Sequence, residues 1–328
     1  MEHSIFKYHY HLFWFPTDYY KIAYSDLDNS KDITFHWGIG SSLNKCLATI
    51  YRLHNVPAIN RYVNLPWKKK WFPYLFPIDS SKQNCFLFTP KFFYNEEQRS
   101  FVQYLKHNYP NSKTVLYYQD IASTHAPFQQ GRDFWNLFDV VLSYDQTEAN
   151  NYGFRFYPTS YSLNIKNKLS TEKPKSDVLF IGRAKDRFPL ILKIYDYLEN
   201  NGLNCLFKLI DVDPVERVER KGISFLDNNI SYRENLEYVM QTKVLLDILQ
   251  NGASGCSLRF WESIAFEKII LSNNDSNPIG RMSNKILFNE KNIENINIGR
   301  LLNAPIIDPN LKEKLSPFGL IRYIDSII

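Results

Sequence analysis

The chain has 328 residues, 44% of them hydrophobic and 22% charged, which excludes a disordered or fibrous protein and suits two domains of ordinary size. Its formal net charge of +5 is compatible with phosphate-bearing ligands, but no run of like charges points to a nucleic acid partner. The four cysteines lack metal or redox spacing, and neither a signal-peptide pattern nor a long apolar run occurs, so the sequence predicts a cytoplasmic protein that can lie peripherally on the inner face of the membrane.

The first half of the chain predicts an open α/β layer. Short apolar runs indicate buried strands, and a helix from Glu96 to His107 lies between two of them. The predicted strands are Cys85 to Thr89, Thr114 to Tyr118 and Val140 to Tyr144. Looser loops are expected near residues 15–35 and 60–80. A small-residue loop, His36 to Leu43, precedes a predicted helix without a clear strand before it.

A polar, charged segment from Asn164 to Asp177 indicates a linker, after which strands and helices alternate. Alternation of this kind is typical of βαβ units with right-handed crossovers and a parallel sheet. The predicted strands are Val178 to Ile181, Cys205 to Ile210, Val244 to Leu249 and Ile269 to Ser272. We therefore expect domains at residues 1–165 and 176–310 and a C-terminal helix within 311–328.

The segment from Ser254 to Asn274 carries the strongest signal for a ligand. Its loop of small residues, which includes Gly255 and Ser257, opens a predicted helix, and the free N–H groups at a helix start suit a diphosphate. Arg259 lies in the first turn and can pair with phosphate oxygens, and Glu262 lies one turn later, where a carboxylate can accept hydrogen bonds from ribose hydroxyls. A capped surface helix would show the same residues.

This segment resembles the donor-binding stretch of GT-B glycosyltransferases, in which two Rossmann-like domains face each other across a cleft. The resemblance implies that Glu262 binds the ribose and that no metal or other cofactor is needed beside the nucleotide-sugar. Many retaining members carry an acidic residue eight positions before that Glu; Ser254 stands there in this chain. The stereochemical outcome therefore stays open.

A second basic element follows the first predicted strand of the second half. Gly182 ends that strand, and Arg183, Lys185 and Arg187 follow it. The element is similar to the first strand and loop of the donor domain in the same superfamily, where basic residues reach the donor phosphates. We predict Gly182 and Arg183 as donor-binding residues, together with Lys208 on the next strand.

Catalytic candidates come from the first half. Asp120 and Asp145 follow predicted strands, and His125 lies shortly after the first of these two. A positioned carboxylate or imidazole can remove the proton of an acceptor hydroxyl. Turn and cap roles compete with catalysis for all three.

The aromatic and basic segment from Trp67 to Pro77 contains Trp67, Lys68, Lys69, Lys70 and Trp71. Interfacial aromatics with cations beside them suit docking on an anionic bilayer, so these five are predicted to face the membrane. A loop packed by its own aromatics is the competing interpretation.

The tract that contains Asp120, His125 and Asp145 also resembles the acceptor half of glycosyltransferases from lipopolysaccharide and capsule clusters. The two resemblances imply a glycosyltransferase that moves a sugar from a nucleotide-sugar to a glycan or lipid-linked oligosaccharide acceptor, in lipopolysaccharide, O-antigen or capsule synthesis. One alternative is a metal-dependent GT-A enzyme that uses Asp211 and Asp213 of a DxD triplet; a second triplet is Asp26-Leu27-Asp28. Another alternative is a non-catalytic protein that binds a nucleotide-sugar or glycan.

Overall fold

The computed structural model describes residues 6–38, 43–56, 58, 62–63, 67–93, 96–125, 128, 131–249, 256–277, 279, 282–303, 305 and 307–328. The chain divides into two compact units. The first consists of Met1–Tyr20, Leu27–Tyr157 and Leu320–Ile328, and the second of Lys21–Asp26 and Pro158–Gly319. The segment expected as a linker contains a 3-10 helix at Asn164–Lys168 and ends in the first strand of the second sheet.

The first unit contains a parallel six-stranded sheet in the order β2-β1-β3-β4-β5-β6. Its strands are β1 (His9–Trp14), β2 (Ile33–Trp37), β3 (Asn84–Phe88), β4 (Lys113–Tyr118), β5 (Val140–Ser143) and β6 (Arg155–Phe156). The helices up to Tyr157 are α1 (Asp18–Ala23), α2 (Lys45–His54), α3 (Phe72–Leu75), α4 (Glu96–Asn108), α5 (Arg132–Trp135) and α6 (Gln146–Tyr152).

Three strands of the first sheet were not predicted: β1, β2 and the two-residue β6. β1 and β2 contain histidines, which interrupt the apolar pattern expected of buried parallel strands. The fold tolerates them because the rings satisfy one another: His11 Nδ1 lies 2.9 Å from His36 Nε2. The expectation that no strand precedes the loop at His36 is therefore wrong, although residues 39–42 of that loop lie outside the described residues.

The second unit contains another parallel six-stranded sheet, in the order β12-β11-β10-β7-β8-β9. Its strands are β7 (Ser176–Arg183), β8 (Cys205–Ile210), β9 (Ile223–Leu226), β10 (Thr242–Asp247), β11 (Ile269–Ser272) and β12 (Lys285–Leu287). The helices after Tyr157 are α7 (Phe188–Asn200), α8 (Tyr232–Met240), α9 (Leu258–Ala265), α10 (Ile298–Leu301), α11 (Pro309–Leu315) and α12 (Pro317–Ile327). Most of α12 belongs to the first unit, which includes the chain from Leu320 onward. The four predicted strands are confirmed within two residues, whereas β9 and β12 were not predicted.

The two cores differ in composition. The first unit buries an aromatic cluster that includes Phe13, Phe88 and Phe101. The second packs mainly aliphatic residues of the sheet, such as Val178 and Leu246, against Ile191 and Ile194 of α7. No described helix is long and apolar enough to cross a membrane.

Candidate functional site

The carboxyl edge of the second sheet has a topological switch point between β7 and β10. From β7 the chain adds β8 and β9 on one side, and it then adds β10, β11 and β12 on the other. In open parallel sheets, ligands bind outside the strand ends at such a point, because the two following loops diverge and leave a crevice. Gly182 and Arg183 end β7 here, and Asp247 ends β10.

Gly182 allows a guanidinium group to lie against the backbone at this point. A Cβ at position 182 would stand 2.9 Å from Nη2 of Arg259, so any other residue would displace that side chain. Cζ of Arg259 lies 5.0 Å from the centre of the Phe180 ring, which supports the guanidinium from β7. The structure thus brings together Gly182 and Arg259, which the sequence predicted from separate motifs.

Arg187 is a second fixed cation at the same edge. Its Nη1 donates to the carbonyl of Ile248 at 2.5 Å, and its Nη2 donates to the carbonyl of Arg183. Burial lowers the pKa of Arg187, and the charge of Arg259 lowers it further. Backbone carbonyls therefore hold a guanidinium within the electrostatic reach of Arg259.

Arg183, the residue that the sequence favoured, has different surroundings. Its Nε lies 3.3 Å from Oδ2 of Asp211, and both side chains are about half exposed. The sequence could not show that Arg187 is held in place and Arg183 is not. Arg187 is fixed by backbone carbonyls at the ends of β7 and β10, and only the fold brings these together.

Glu262 lies inside the second unit, with only 2% of its surface exposed. Its Oε1 accepts hydrogen bonds from the hydroxyl of Tyr232 at 2.8 Å and from Nδ2 of Asn235 at 3.3 Å. The hydroxyl of Tyr161 lies 2.9 Å from that of Tyr232 and extends the network. Burial raises the pKa of Glu262, and the positive charge of Arg259 opposes this rise. The carboxylate is therefore fixed in position and electrostatically linked to Arg259.

Two buried charges at this edge have no counterpart in the predicted site. Asp247, at 3% exposure, accepts a hydrogen bond from Ser272 Oγ at 2.9 Å. Lys285 donates from Nζ to the carbonyl of Ser276 at 2.5 Å, and burial lowers its pKa. The signal for Asp247 was available, since a single charge interrupts the apolar run VLLDIL of the predicted strand Val244 to Leu249.

The other residues predicted to bind the donor lie in three different places. Lys208 lies within β8, and its Nζ lies 5.0 Å from the centre of the Tyr238 ring. Ser257 is the N-cap residue of α9, and among the described residues its buried Oγ has no hydrogen-bond partner. Gly255 and the neighbouring Ser254 lie outside the described residues.

The catalytic candidates Asp120 and His125 lie in one loop of the first unit, after β4. Oδ1 of Asp120 accepts a hydrogen bond from the N–H of Ile121 at 2.9 Å. Nε2 of His125 is buried without a partner in the part of the chain that the structure describes. Burial lowers the pKa of His125, and the nearby Asp120 opposes the shift. Its ring is therefore neutral at neutral pH, the form that a general base requires.

Asp145 has a structural role in the same unit. Its Oδ1 accepts a hydrogen bond from the N–H of Glu148 at 2.9 Å and caps α6. Glu148, which the sequence did not indicate, accepts a hydrogen bond from the N–H of Ala122 at 2.9 Å. It thereby holds the 3-10 turn Ala122–Thr124, which leads to His125.

The predicted membrane-facing residues form a 3-10 helix, Lys68–Trp71, which continues into α3. Trp67 is 69% exposed. Trp71, in contrast, is only partly exposed, and its Nε1 donates to Nδ1 of His54 at 2.7 Å.

The DxD triplets have local roles. Asp213 accepts a hydrogen bond from the N–H of Val215 at 3.0 Å, and Asp26 accepts one from the N–H of Leu163 at 2.8 Å. Asp211 pairs with Arg183, as described above. Among the described residues, no three His, Cys, Asp or Glu side chains are grouped as a metal site.

No protein-family model matches the chain, and no curated protein matches it in sequence. Its fold nevertheless matches solved structures. An α-glucosyltransferase in complex with UDP and a 13-mer DNA containing an A:G mismatch superposes with a TM-score of 0.54 at 14% identity, over 96% of this chain and 92% of that one.

Two streptococcal structures also match over part of their length. One contains accessory secretory protein 1, 2 and 3 from Streptococcus pneumoniae, with a TM-score of 0.50, 9% identity and 79% of this chain covered. The other is the Glycosylation Associate Protein (Gap123) complex from Streptococcus agalactiae, with a TM-score of 0.46, 9% identity and 75% of this chain covered. This chain spans 55% and 56% of those two chains, respectively. The predicted fold class, GT-B with two Rossmann-like domains, is confirmed by the two parallel sheets and by the glucosyltransferase neighbour.

Proposed function

We propose that this chain transfers a sugar from a nucleotide-sugar donor to a glycan acceptor. The observation that carries the proposal is the pair of guanidinium groups, Arg187 and Arg259, at the switch point of the second sheet. A diphosphate is the ligand that these two cations suit best, because Arg259 can pair with two of its oxygens and Arg187 adds a fixed positive charge beside it.

In this proposal the second unit binds the donor. Arg259 and Arg187 stabilise the negative charge that develops on the departing nucleoside diphosphate, as fixed cations do in phosphoryl transfer. Glu262 accepts hydrogen bonds from the hydroxyl groups of the ribose. What supports this role is that the two hydrogen bonds from Tyr232 and Asn235 both go to Oε1, which fixes the plane of the carboxylate.

The first unit supplies the acceptor side in the same proposal. His125 is the general base that we favour, since its neutral ring carries a buried nitrogen without a partner among the described residues. Asp120 is the alternative base. Asp145 already caps α6, which makes it the weakest of the three candidates.

The biological setting is also a proposal. The sequence resemblance favours surface polysaccharide synthesis, such as lipopolysaccharide, O-antigen or capsule, with a lipid-linked acceptor. A GT-A enzyme built on Asp211 and Asp213 is disfavoured, because the two six-stranded sheets belong to separate units and Asp211 is paired with Arg183.

The first experiment measures donor binding and turnover in Arg259→Gln. We expect kcat/KM to fall about 100- to 1000-fold, the loss typical when one preorganised charge donor is removed. UDP is the first nucleotide to test by calorimetry, because the structural neighbour was solved with UDP. Arg300→Gln is the matched control, since Arg300 is exposed on α10. Equal activity of the Arg259 variant and the control would refute the site.

Gly182→Ala tests the same site without removing a charge. Because the new Cβ would stand 2.9 Å from Arg259 Nη2, the guanidinium must move, and we expect donor affinity to fall. Gly299→Ala is the control, since a Cβ there has its nearest contact at 3.4 Å. Donor binding without turnover toward any glycan acceptor would favour the non-catalytic alternative.

A further inference from the structure

A long stretch of the first unit is free of acidic residues. No Asp or Glu occurs between Asp32 and Asp79, whereas Lys45, Arg52, Arg61, Lys68, Lys69 and Lys70 all fall there. The chain as a whole has 34 acidic and 39 basic residues, so this stretch concentrates positive charge that the net charge of +5 conceals.

Helix α2 in this stretch carries an apolar stripe that is exposed in the part of the chain that the structure describes. None of its residues is buried, and Ile50 and Leu53 are 48% and 59% exposed. Cys46, also exposed, lies four residues before Ile50, so the three side chains follow one side of the helix. An isolated exposed leucine needs no explanation, but an apolar stripe on a helix without a buried face does.

The 3-10 helix Lys68–Trp71 is attached directly to α2. Trp71 donates from Nε1 to Nδ1 of His54, and its ring centre lies 5.4 Å from that of Tyr51. The exposed Trp67 and the three lysines are therefore held beside the carboxyl end of α2. Tyr74 of α3 is exposed by 62% in the same segment.

Residues 67–76 are anchored in the core of the first unit by two phenylalanines. Phe72 is 2% exposed, and its ring centre lies 5.2 Å from that of Phe101 of α4. The ring centre of Phe76 lies 5.0 Å from that of Phe101 as well. Because Phe72 and Phe76 point into the core, Trp67 and Tyr74 are presented outward on a fixed support.

We propose that α2 and residues 67–74 form one bilayer-binding surface, here called the basic apolar surface, that docks on anionic lipid. Ile50, Leu53 and Trp67 enter the region between headgroups and acyl chains, and Lys68, Lys69 and Lys70 contact lipid phosphates. A bilayer fits better than a nucleic acid, since aliphatic side chains gain nothing from a phosphate backbone. This inference goes beyond glycosyl transfer, because it requires no donor.

The test is co-sedimentation of the full chain with vesicles of phosphatidylcholine alone and with vesicles that also contain the anionic lipid phosphatidylglycerol, which attracts polybasic segments. We expect binding to the anionic vesicles only, weakening as salt rises. Ile50→Gln/Leu53→Gln and Lys68→Gln/Lys69→Gln/Lys70→Gln should each lower the affinity at least about tenfold.

Matched controls come from the second unit. Val215→Gln removes a side chain that is 88% exposed, and Lys175→Gln/Lys221→Gln/Lys291→Gln removes three exposed lysines. Both controls should bind vesicles like the wild type. Absence of wild-type binding at low salt, or equal losses in the controls, would overturn the proposal. Binding of duplex DNA that needs the lysines but not Ile50 and Leu53, without vesicle binding, would instead identify a nucleic acid site.

Trp67 gives an independent signal. It is the exposed one of the six tryptophans, so insertion should shift its fluorescence to shorter wavelength when anionic vesicles are added. Trp67→Phe should abolish the shift. UDP affinity should be unchanged in all the variants of the basic apolar surface, so that failure here and failure of the donor site are distinguishable.

Discussion

Strands β1 and β2 of the first sheet and the strand ends of the second sheet place polar groups in opposite ways. In the second unit, the strand ends carry charges: Asp247, Arg187 and, from α9, Arg259 and Glu262, all at one edge. In the first unit, the buried polar groups of β1 and β2 are the neutral rings of His11 and His36, within the strands themselves. Buried charge is expensive unless it is paired or serves a ligand, whereas neutral rings that bond one another stabilise a sheet at no such cost. The comparison therefore contrasts the proposed donor site with a polar cluster that serves the fold.

The largest expected effect concerns the neutral cluster. Burial lowers the pKa of His11 to about 4 and that of His36 to about 3. Below pH 6.5 the two histidine rings are protonated in the unfolded chain but stay neutral in the folded sheet. The free energy of unfolding therefore falls as the pH decreases from 6.5 toward these values. For two such rings the loss is about 5 kcal/mol by pH 4.5. Urea unfolding at a series of pH values measures it.

His36→Gln should flatten this pH dependence by about half, because one of the two rings no longer takes up a proton on unfolding. His107→Gln is the control, since His107 is exposed on α4 and should leave the dependence unchanged. Titration of the ring signals by NMR supplies a second measurement that does not depend on the stability of the variant. Either ring titrating near 6.5 in the folded protein would contradict the prediction.

The charged edge should respond differently to removal of charge. Glu262→Gln keeps the shape of the side chain but replaces an acceptor oxygen with an NH₂ group that cannot accept a ribose hydroxyl. We expect donor affinity to fall about tenfold, by analogy with other lost charge-assisted hydrogen bonds. The free energy of unfolding should change little, since replacing a buried charge also removes its desolvation penalty.

Tyr232→Phe is the companion variant, because it removes the hydroxyl that donates to Glu262 Oε1 without touching the carboxylate. A smaller loss of donor affinity than in Glu262→Gln would fit a positioning role for Tyr232. The prediction is contradicted if Glu262→Gln keeps its donor affinity but loses much of its stability. The buried network around Glu262 would then be structural, like the histidine pair of the first sheet.

The sequence predicted the second unit well because its strands are short apolar runs between helices, and period and composition alone identify them. It missed β1 and β2 because their histidines are tolerated only through a contact between neighbouring strands. The site divides in the same way. Gly182, Arg259 and Glu262 follow from local motifs, whereas Asp247 and Lys285 depend on which strands become neighbours.

The choice between Arg183 and Arg187 shows most directly what the sequence cannot predict. The variant that tests this choice, Arg183→Gln, has the smallest expected effect. Arg183 and Asp211 form an exposed ion pair, so Arg183→Gln should change the free energy of unfolding by less than ~0.5 kcal/mol. Its effect on donor affinity should be about threefold or less, far below that of Arg259→Gln, because an exposed cation near a phosphate is screened by water and salt. Asp211→Asn is the matched variant: it frees Arg183 from its partner and should leave UDP affinity unchanged or slightly higher. A loss in Arg183→Gln as large as in Arg259→Gln would show that Arg183 contacts the diphosphate, in agreement with the motif and against the choice of Arg187.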